Sequence, residues 1–393
     1  MTPALAWLEP LRCSIPEIDG KAWDDLEVLS DVLARRVPAA PPSGDPARAQ
    51  WLLDLRRDLA CDDRQDPPAP GGLVRQALAQ FCAGSYDLDL RDVTGAGHGA
   101  MILADAAAEL RDTWRTRLGR GDLVGIAATE RHGGSRIQEI TTQARPDSDG
   151  RWHISGEKCW VSRIVESAGF VVFFRDPNDR ITAAVIDTAA HGLVSETLKP
   201  SGLGGWSWGV LRLHDVSIDP ATDLLGPAGS GMEVFRRHFA RFRPLVTATA
   251  LGTAAGVHTV VAEALAARRK IGVLPRVRDN ALITLGRTHA EIVAALLAAI
   301  TTIRLAASGH PHADLFARVG KAAGVDTAYR AVSDLAPLLG AYGFQQSSPV
   351  TKARADLTGM LYADGVHDSL YRSGGATLLR APYDPPTWFP PSR

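Results

Sequence analysis

The residue pattern of the chain changes character twice, and the order of the three regions constrains the fold more than any single motif. Residues 1–120 read as helices joined by Pro-rich loops, and residues 21–36 carry apolar side chains at helical spacing. Residues 121–228 contain short β-rich runs separated by polar turns. Helical spacing then returns in residues 229–393. The order predicts an α+β protein with an N-terminal helical domain, a middle β domain and a C-terminal helical bundle.

The middle and last regions allow more specific predictions. The short runs of the middle region favour a compact antiparallel barrel or sandwich, because a parallel sheet would need long helical patterns between its strands. In the last region apolar residues recur at four-then-three spacing, which predicts a four-helix bundle that buries them. These stripes are Ile292, Leu296, Ile300 and Ile303, and Val325, Tyr329, Val332, Ala336 and Leu339.

Composition excludes several functional classes. The net charge of -1 provides no strong field for nucleic acid or anionic membranes. We find no signal-peptide pattern and no run of about eighteen apolar residues, so we expect a cytoplasmic protein without membrane insertion. His310-Pro311-His312 lacks carboxylates or cysteines at ligand spacing, so we expect no metal. The cysteines show no ligand spacing either, and we expect reduced thiols: Cys13, Cys61, Cys82 and Cys159.

Two segments about 25 residues apart have the chemistry of a cofactor site. Residues 127–135 read AATERHGGS, a loop in which glycines let backbone N–H groups approach anionic oxygens beside Thr and Ser hydroxyls. Residues 154–162 read ISGEKCWVS, in which Trp160 offers a large flat ring and Ser162 a hydroxyl two positions later.

Further segments follow in order along the chain. Residues 202–225 read GLGGWSWGVLRLHDVSIDPATDLL, and residues 268–272 read RRKIG. Residues 340–344 read GAYGF, and residues 363–366 read ADGV. With the two cofactor segments, these resemble the motifs of the acyl-CoA dehydrogenase family over about residues 95–375. The resemblance implies that family's three-domain fold and noncovalent FAD.

The resemblance also implies roles for particular residues. Trp160 would pack on the flavin ring, and the Ser162 hydroxyl would hydrogen-bond flavin N5, where hydride arrives. Arg268 would reach the FAD pyrophosphate of a neighbouring subunit, since a guanidinium fork suits a diphosphate. The implied cofactor-binding set is Ala127, Thr129, Gly134, Ser135, Trp160, Ser162, Arg268 and Gly340. Arg131 stands where the family has proline, and Ile271 where it has phenylalanine.

Asp364 falls on the position of the family's catalytic glutamate. A carboxylate suits removal of a proton alpha to a thioester, because burial raises its pKa toward neutrality. Asp is shorter than Glu by one methylene, so its carboxyl would sit about 1.5 Å further back. Turn formation in Tyr-Ala-Asp-Gly is the alternative interpretation of Asp364. In some relatives the base comes from the first bundle helix, but Phe242 occupies that position here.

The substrate-side residues implied by the resemblance are Ser135 and Arg243. Arg243 matches a pocket-edge position and would meet a polar or carboxylate group, while a structural salt bridge is the alternative. These features, together with the GWSWG stretch, favour a small polar acyl group on an acyl carrier protein over a long fatty acyl-CoA. We expect a homo-oligomer, dimer or tetramer, with an electron acceptor such as electron transfer flavoprotein or oxygen.

Other functions stay open on the same residues. One is oxidation of a carrier-bound glyceryl or hydroxyacyl C3 unit toward hydroxymalonyl. A second is a flavin-dependent monooxygenase, for which Asp364 and Val366 in place of Glu and Thr leave room. A third is a non-catalytic subunit of a heteromeric dehydrogenase. A nicotinamide site at Gly95–Ala100 (GAGHGA) is disfavoured, because a Rossmann unit also needs flanking strands and an acidic residue about 20 positions later.

Overall fold

The computed structural model describes residues 1–59, 70–273 and 276–380, with the side chains of Pro70 and Ser135 left out. Cys61 and most of the Pro-rich run at 66–72 lie outside these residues. Within them the predicted order of helices, sheet and helices is confirmed. The predicted boundaries at residues 120 and 228 fall in the loops before the first strand and before the longest helix.

Helices connected by short loops form the N-terminal region. Two of them begin at aspartates whose carboxylates accept a backbone N–H of the first turn: Asp19 from Ala22 and Asp45 from Ala47, both at 2.8 Å. The helices are α1 (Pro3–Leu8), α2 (Gly20–Arg36), α3 (Pro46–Asp58), α4 (Pro70–Tyr86), α5 (Ala100–Asp105) and α6 (Ala108–Gly119). Short 3-10 helices at Leu88–Asp92 and Gly97–Gly99 connect α4 to α5.

The middle region forms a mixed sheet with strand order β1-β4-β2-β3-β7-β6, in which β5 pairs with β4. Its strands are β1 (Leu123–Ala127), β2 (Gln143–Pro146), β3 (Trp152–Ser162), β4 (Ser167–Arg175), β5 (Ile181–Asp187), β6 (Leu193–Leu198) and β7 (Trp208–Ile218). Most pairs are antiparallel, but β4 runs parallel to β1 and β2. The expectation of a purely antiparallel sheet is therefore wrong. A short 3-10 helix and the β2–β3 hairpin make the crossover, so no long helix is needed.

The C-terminal region is the predicted helical bundle. It consists of α7 (Gly231–Lys270), α8 (Asp279–Ala307), α9 (Ala313–Leu335), α10 (Pro349–Met360) and α11 (His367–Leu379). Both apolar stripes face the shared core, where Tyr329 is partly buried and the other members are buried. Helix α4 of the N-terminal region packs along α7, so the two helical regions share one hydrophobic core.

Two bundle helices are apolar enough and long enough to cross a membrane by length and composition alone: α7 and α8. The sequence-based statement that no such stretch exists is therefore too strict. Core helices pass the same test, and 72% of the apolar window of α7 is buried, against 39% for α8. The absence of membrane insertion stays a prediction.

Residues 203–209, which end in the GWSWG stretch, join all three regions. Trp206 is buried and donates its indole N–H to the Asp89 carbonyl at 2.8 Å, and the backbone N–H of Leu203 donates to Asp356 in α10 at 2.6 Å. The neighbouring carboxylates are close enough to hold a metal ion, but Arg48 and Lys352 bind them at 2.5–2.9 Å. These carboxylates are Asp87, Asp89 and Asp356. The stretch therefore has a structural role in joining the regions.

Candidate active site

A single backbone hydrogen bond brings the two cofactor segments together. The carbonyl of Thr129, in the loop after β1, accepts from the N–H of Cys159 in β3 at 2.8 Å. Ala127 ends β1, and Ser162 ends β3. Trp160 has a left-handed φ of 58° and an exposed fraction of 64%, which is unusual for the largest apolar side chain. The strand therefore presents an indole face beside the glycine-containing loop.

A buried ion pair holds this loop. The Glu130 carboxylate accepts from the backbone N–H groups of Thr141 and Thr142 at 2.8 and 2.9 Å, and from Lys158 Nζ at 2.8 Å. Burial alone would raise the pKa of Glu130, but Lys158 and Thr142 hold it at about 2. Burial lowers the pKa of Lys158 to about 8. Both residues lie in the motifs, but the sequence did not lead us to predict a structural role for either.

Arg131 replaces the family's proline and fixes the loop by another route. Its guanidinium pairs with Glu157 of β3 at 2.5 Å, and Glu157 also accepts from Arg212 of β7 at 3.0 Å. Two strands therefore hold the loop through one carboxylate. The departure from the motif changes how the loop is anchored, while the loop remains beside β3.

The described residues fit a flavin. At Gly134 an added Cβ would lie 2.6 Å from Thr129 Oγ1, and Gly133 has a left-handed φ of 107°. A side chain at Gly134 would collide with Thr129, and one at Gly133 would strain the backbone, so the loop requires glycine at both positions. Without these side chains, a ligand can approach the backbone closely. The exposed ring of Trp160 and the hydroxyl of Ser162 lie beside it. The side chain of Ser135 is outside the described part, so its two predicted roles stay predictions.

Asp364 lies in the turn between α10 and α11, with a left-handed φ of 57°. The turn expected from Tyr-Ala-Asp-Gly is thus present. The Asp364 carbonyl accepts from Arg243 Nε at 3.0 Å. Lys321 is buried in α9 and donates Nζ hydrogen bonds of 2.6–3.0 Å to the carbonyls of Met360, Ala363 and Gly365. Two buried cations on neighbouring helices therefore anchor the turn that carries the carboxyl group.

The surroundings of Asp364 suit a proton acceptor. Burial raises the pKa of its carboxyl group, and the positive charges of Lys321, Arg163, Arg91 and Arg243 oppose that rise. Burial also lowers the pKa of Lys321 to about 7 and that of Arg243 to about 10. A carboxyl group whose pKa moves toward neutrality, in a cationic surrounding, matches what a general base requires.

Phe242 lies among buried aromatic rings. Its ring centroid is 4.5 Å from that of His98 and 5.0 Å from that of His238, and the two histidines share a hydrogen bond of 3.0 Å. Burial lowers the pKa of both imidazoles, to about 3 for His238, so both are neutral at pH 7. The GAGHGA segment thus contributes the buried His98, and it follows the 3-10 helix Leu88–Asp92 instead of the strand that a Rossmann dinucleotide site requires.

A cavity of about 50 Å³ lies between α4, α5 and α7. Arg237 and Arg241 line its outer side, and the buried His238 and the half-buried Phe242 line its inner side. Most of the other lining residues are apolar or small, including Leu73, Ala96, Met101, Leu103 and Leu245. Asp105 also lines the cavity and pairs with Arg237, as does Glu233, so Arg241 is the lining arginine that has no salt bridge among the described residues.

The remaining predicted residues separate into two groups. Arg243 is buried, holds the Asp364 turn and lies over the Phe239 ring at 4.7 Å, so its contacts here are structural and its substrate role stays a prediction. Arg268 donates to the Leu339 carbonyl at 2.9 Å, next to Gly340 with its left-handed φ of 63°. At 1.5 Å per residue, Arg268 lies about 38 Å along α7 from Arg243.

Comparison with known proteins identifies the family. Residues 125–216 match the acyl-CoA dehydrogenase middle domain, and residues 229–378 match the C-terminal domain. Benzylmalonyl-CoA dehydrogenase of Aromatoleum aromaticum is 25% identical over 370 residues, which are 88% of this chain and 96% of that protein.

Two solved structures share the fold. The glutaryl-CoA dehydrogenase of Mycobacterium smegmatis superposes with a TM-score of 0.78 at 21% identity, over 92% of this chain and 95% of that one. The prolyl acyl carrier protein oxidase AnaB gives 0.77 at 17% identity, over 92% and 99%. The chain therefore belongs to the acyl-CoA dehydrogenase family and is an FAD-dependent oxidoreductase acting on acyl thioesters.

Proposed function

We propose that the protein oxidises a small polar acyl thioester, with Asp364 as the base that removes the α proton. The observation that carries the proposal is the turn at Asp364, which the buried Arg243 and Lys321 hold through backbone carbonyls. A residue with only a turn-forming role would not need two buried cations at its backbone.

The proposed oxidation removes one hydrogen from the α carbon and one from the β carbon of the acyl thioester. FAD, when bound, would supply the acceptor for a hydride, which carries two electrons and one hydrogen nucleus away from the β carbon. Asp364 takes the α proton, so the thioester becomes α,β-unsaturated, and an electron acceptor such as electron transfer flavoprotein or oxygen later removes the two electrons. Trp160 and Ser162 would hold the ring system of FAD beside the glycine-containing loop. The cations around Asp364 favour the negative charge that develops as the α proton leaves.

The shorter side chain of Asp364 makes the anchoring of its turn important. A carboxyl group about 1.5 Å further back reaches the α carbon only if turn and substrate are well positioned. Lys321 binds three carbonyls around the turn, and Arg243 binds the carbonyl of Asp364 itself. We infer that these contacts set the reach of the carboxylate.

We further propose a pantetheine-linked substrate on an acyl carrier protein. The cavity between α4, α5 and α7 is a passage for the pantetheine arm, with Arg237 and Arg241 at its outer side and the exposed Arg236 next to them. Positive charge there suits the phosphate of the arm and an acidic carrier. AnaB, which shares the fold, is by name an oxidase of prolyl acyl carrier protein.

We also propose a cytoplasmic homo-oligomer in which FAD spans two subunits. Arg268 lies about 38 Å along α7 from Arg243, the predicted substrate-side residue, and donates to the carbonyl that precedes Gly340. Large apolar side chains are exposed around that end: Ile271, Val273, Leu282, Ile283, Tyr342 and Phe344. Closed symmetry would cover these side chains and bring Arg268 to the partner's cofactor reciprocally.

The test is anaerobic flavin bleaching with short acyl thioesters, offered on a carrier protein and on CoA at matched concentration. Mass spectrometry should show a product two hydrogens lighter, formed faster from the carrier-bound substrate. Equal or faster bleaching by C4–C16 acyl-CoA would reject the carrier proposal. A product that gains oxygen, together with oxygen uptake, would reject dehydrogenation in favour of the monooxygenase.

A further inference from the structure

A buried histidine lies three residues after Asp364, at the start of α11. The exposed fraction of the His367 side chain is 9%, and its Nδ1 atom lies 2.7 Å from a carboxylate oxygen of Asp326 in α9. Tyr371, one turn further along α11, donates its hydroxyl to the other oxygen of Asp326 at 2.9 Å. The first turn of α11 is therefore fixed to α9 through one carboxylate.

The hydrogen bond to Asp326 decides which nitrogen of His367 carries the proton. An ionised carboxylate only accepts hydrogen bonds, so Nδ1 is the donor. The other nitrogen, Nε2, is buried and has no hydrogen-bond partner among the described residues. Burial and the positive charge of Lys321 lower the pKa of His367, although the hydrogen bond to Asp326 opposes this effect. The ring is therefore neutral at pH 7 and is held through its Nδ1 atom.

The helix that holds His367 also holds the turn at Asp364. Lys321 lies one turn before Asp326 in α9, and its Nζ atom donates to the carbonyls of the residues on either side of Asp364 at 2.6 and 3.0 Å. The backbone of Asp364 thus lies between two carbonyls bound by the same ammonium group, and the imidazole follows two residues after the second. Helix α9 therefore fixes the chain at three positions within residues 363–367.

The conformation of Asp364 makes such fixing necessary. Its φ of 57° lies in the left-handed region, which is unfavourable for a residue with a side chain unless surrounding contacts hold it. The direction of the side chain follows from the backbone, so a shift at the start of α11 would displace the carboxyl group. The contacts of α11 therefore bear on the geometry of the candidate base.

We propose that His367 is a positioning residue for Asp364: its hydrogen bond to Asp326 fixes the start of α11 and, with it, the reach of the carboxyl group toward the α carbon. This rests on the proposed function, in which Asp364 removes the α proton. The side chain of Asp is short, and a misplacement of about 1 Å can cost on the order of 100-fold in rate. His367 acts through the backbone here and takes up no proton from the substrate.

Anaerobic stopped-flow reduction by a short acyl thioester on a carrier protein, at saturation and per bound flavin, tests the proposal. His367→Leu removes the donor to Asp326 and should slow reduction on the order of 10- to 100-fold while FAD stays bound. His367→Asn carries an amide N–H close to the position of Nδ1 and should recover most of the rate. Asp326→Ala breaks the same hydrogen bond at a side chain that is 37% exposed, and it should slow reduction as His367→Leu does.

His153→Leu is the matched control, because His153 forms a hydrogen bond of 2.9 Å to Asp147 at the β2–β3 hairpin. It should reduce its flavin at the wild-type rate, and circular dichroism should show all variants folded. A merely structural role for His367 would lower stability or FAD content and leave the rate per bound flavin unchanged. Wild-type rates per bound flavin in His367→Leu or in Asp326→Ala would therefore overturn the proposal, as would a His367→Asn variant as slow as His367→Leu.

Combination with Asp364→Asn separates this inference from the proposed function. Changes that act through one carboxyl group are not additive, so His367→Leu should slow the Asp364→Asn variant by about twofold or less. Slowing by the full factor in both backgrounds would overturn the positioning role and leave Asp364 as the base. Flavin reduction in Asp364→Asn alone at the wild-type rate would reject the base itself, and its positioning with it.

Discussion

Two charge clusters belong to the candidate active site, one around Glu130 and one near Asp364, and they differ in how fully their hydrogen-bonding groups are used. Glu130 under the cofactor loop makes hydrogen bonds to two backbone N–H groups, two hydroxyls and Lys158. Near Asp364, by contrast, Arg163 Nε and Arg91 Nη1 have no hydrogen-bond partner in the described part, although Asp92 pairs with both arginines. The first, matched cluster is therefore structural, whereas the second, unmatched cluster keeps hydrogen-bond donors that the described residues do not use.

The largest effect on stability should come from the matched cluster. Glu130→Gln leaves the Lys158 ammonium buried without its counter-ion, which should cost about 3–5 kcal/mol of unfolding free energy. Denaturant titration measures the change. Glu196→Gln removes an exposed partner of Arg212 and should cost about 1 kcal/mol or less. Similar losses of unfolding free energy in the two variants would show that the buried Glu130–Lys158 pair stabilises the fold no more than the exposed pair does.

Arg268 tests whether the cofactor site extends across subunits. Arg268→Ala should weaken FAD retention by about 1.5–3 kcal/mol, because a charge-assisted hydrogen bond is lost. Equilibrium dialysis followed by flavin absorbance gives the affinity. Arg287→Ala, which breaks an exposed pair with Asp334, serves as the control. An FAD affinity equal to wild type would remove Arg268 from the cofactor site.

Substitution of Lys321 tests its role in the unmatched cluster near Asp364. Lys321→Met leaves three carbonyls without their donor, which should cost about 1–3 kcal/mol of stability. It also removes the positive charge that most strongly opposes the raised pKa of Asp364, so that pKa should rise further. The acidic limb of the pH profile for flavin reduction should move to higher pH. A loss of stability with an unmoved pH profile would limit Lys321 to a structural role.

The pH dependence of the wild type is a smaller but direct test. A base must be ionised, and burial raises the pKa of Asp364, so flavin reduction should slow as the pH falls through a value above that of an ordinary aspartate. Stopped-flow bleaching across the acidic range would give that limb. A rate independent of pH throughout this range would argue against an ionisable base at this position.

The order of helices, sheet and helices and both bundle stripes were predictable, because periodicity and turn residues are local signals. The two cofactor segments were found by their resemblance to the family's motifs, and a hydrogen bond between Cys159 of β3 and Thr129 in the loop after β1 joins them. The parallel pairs of β4 were missed, because the crossover that permits them is a hairpin and a single 3-10 turn.

Other features depend on residues far apart in sequence. Lys321 reaches carbonyls about 40 residues away, and Arg163 meets Asp92 across 71 positions. Neither residue belongs to one of the motifs, so its contacts are visible only in the folded structure. Glu130 and Lys158 did lie in the motifs, and two oppositely charged residues on adjacent segments were a usable signal.

Asp364→Asn tests the central claim most directly. Asn keeps the size of the side chain and cannot take up the α proton, and the backbone contacts of Arg243 and Lys321 do not involve the carboxyl group. Anaerobic stopped-flow reduction by a carrier-bound short acyl thioester is the measurement, with the exposed Asp368→Asn as control. The variant should retain FAD and reduce it slower by a factor on the order of 100 or more, while Asp368→Asn matches wild type. Flavin reduction in Asp364→Asn at the wild-type rate would contradict the account.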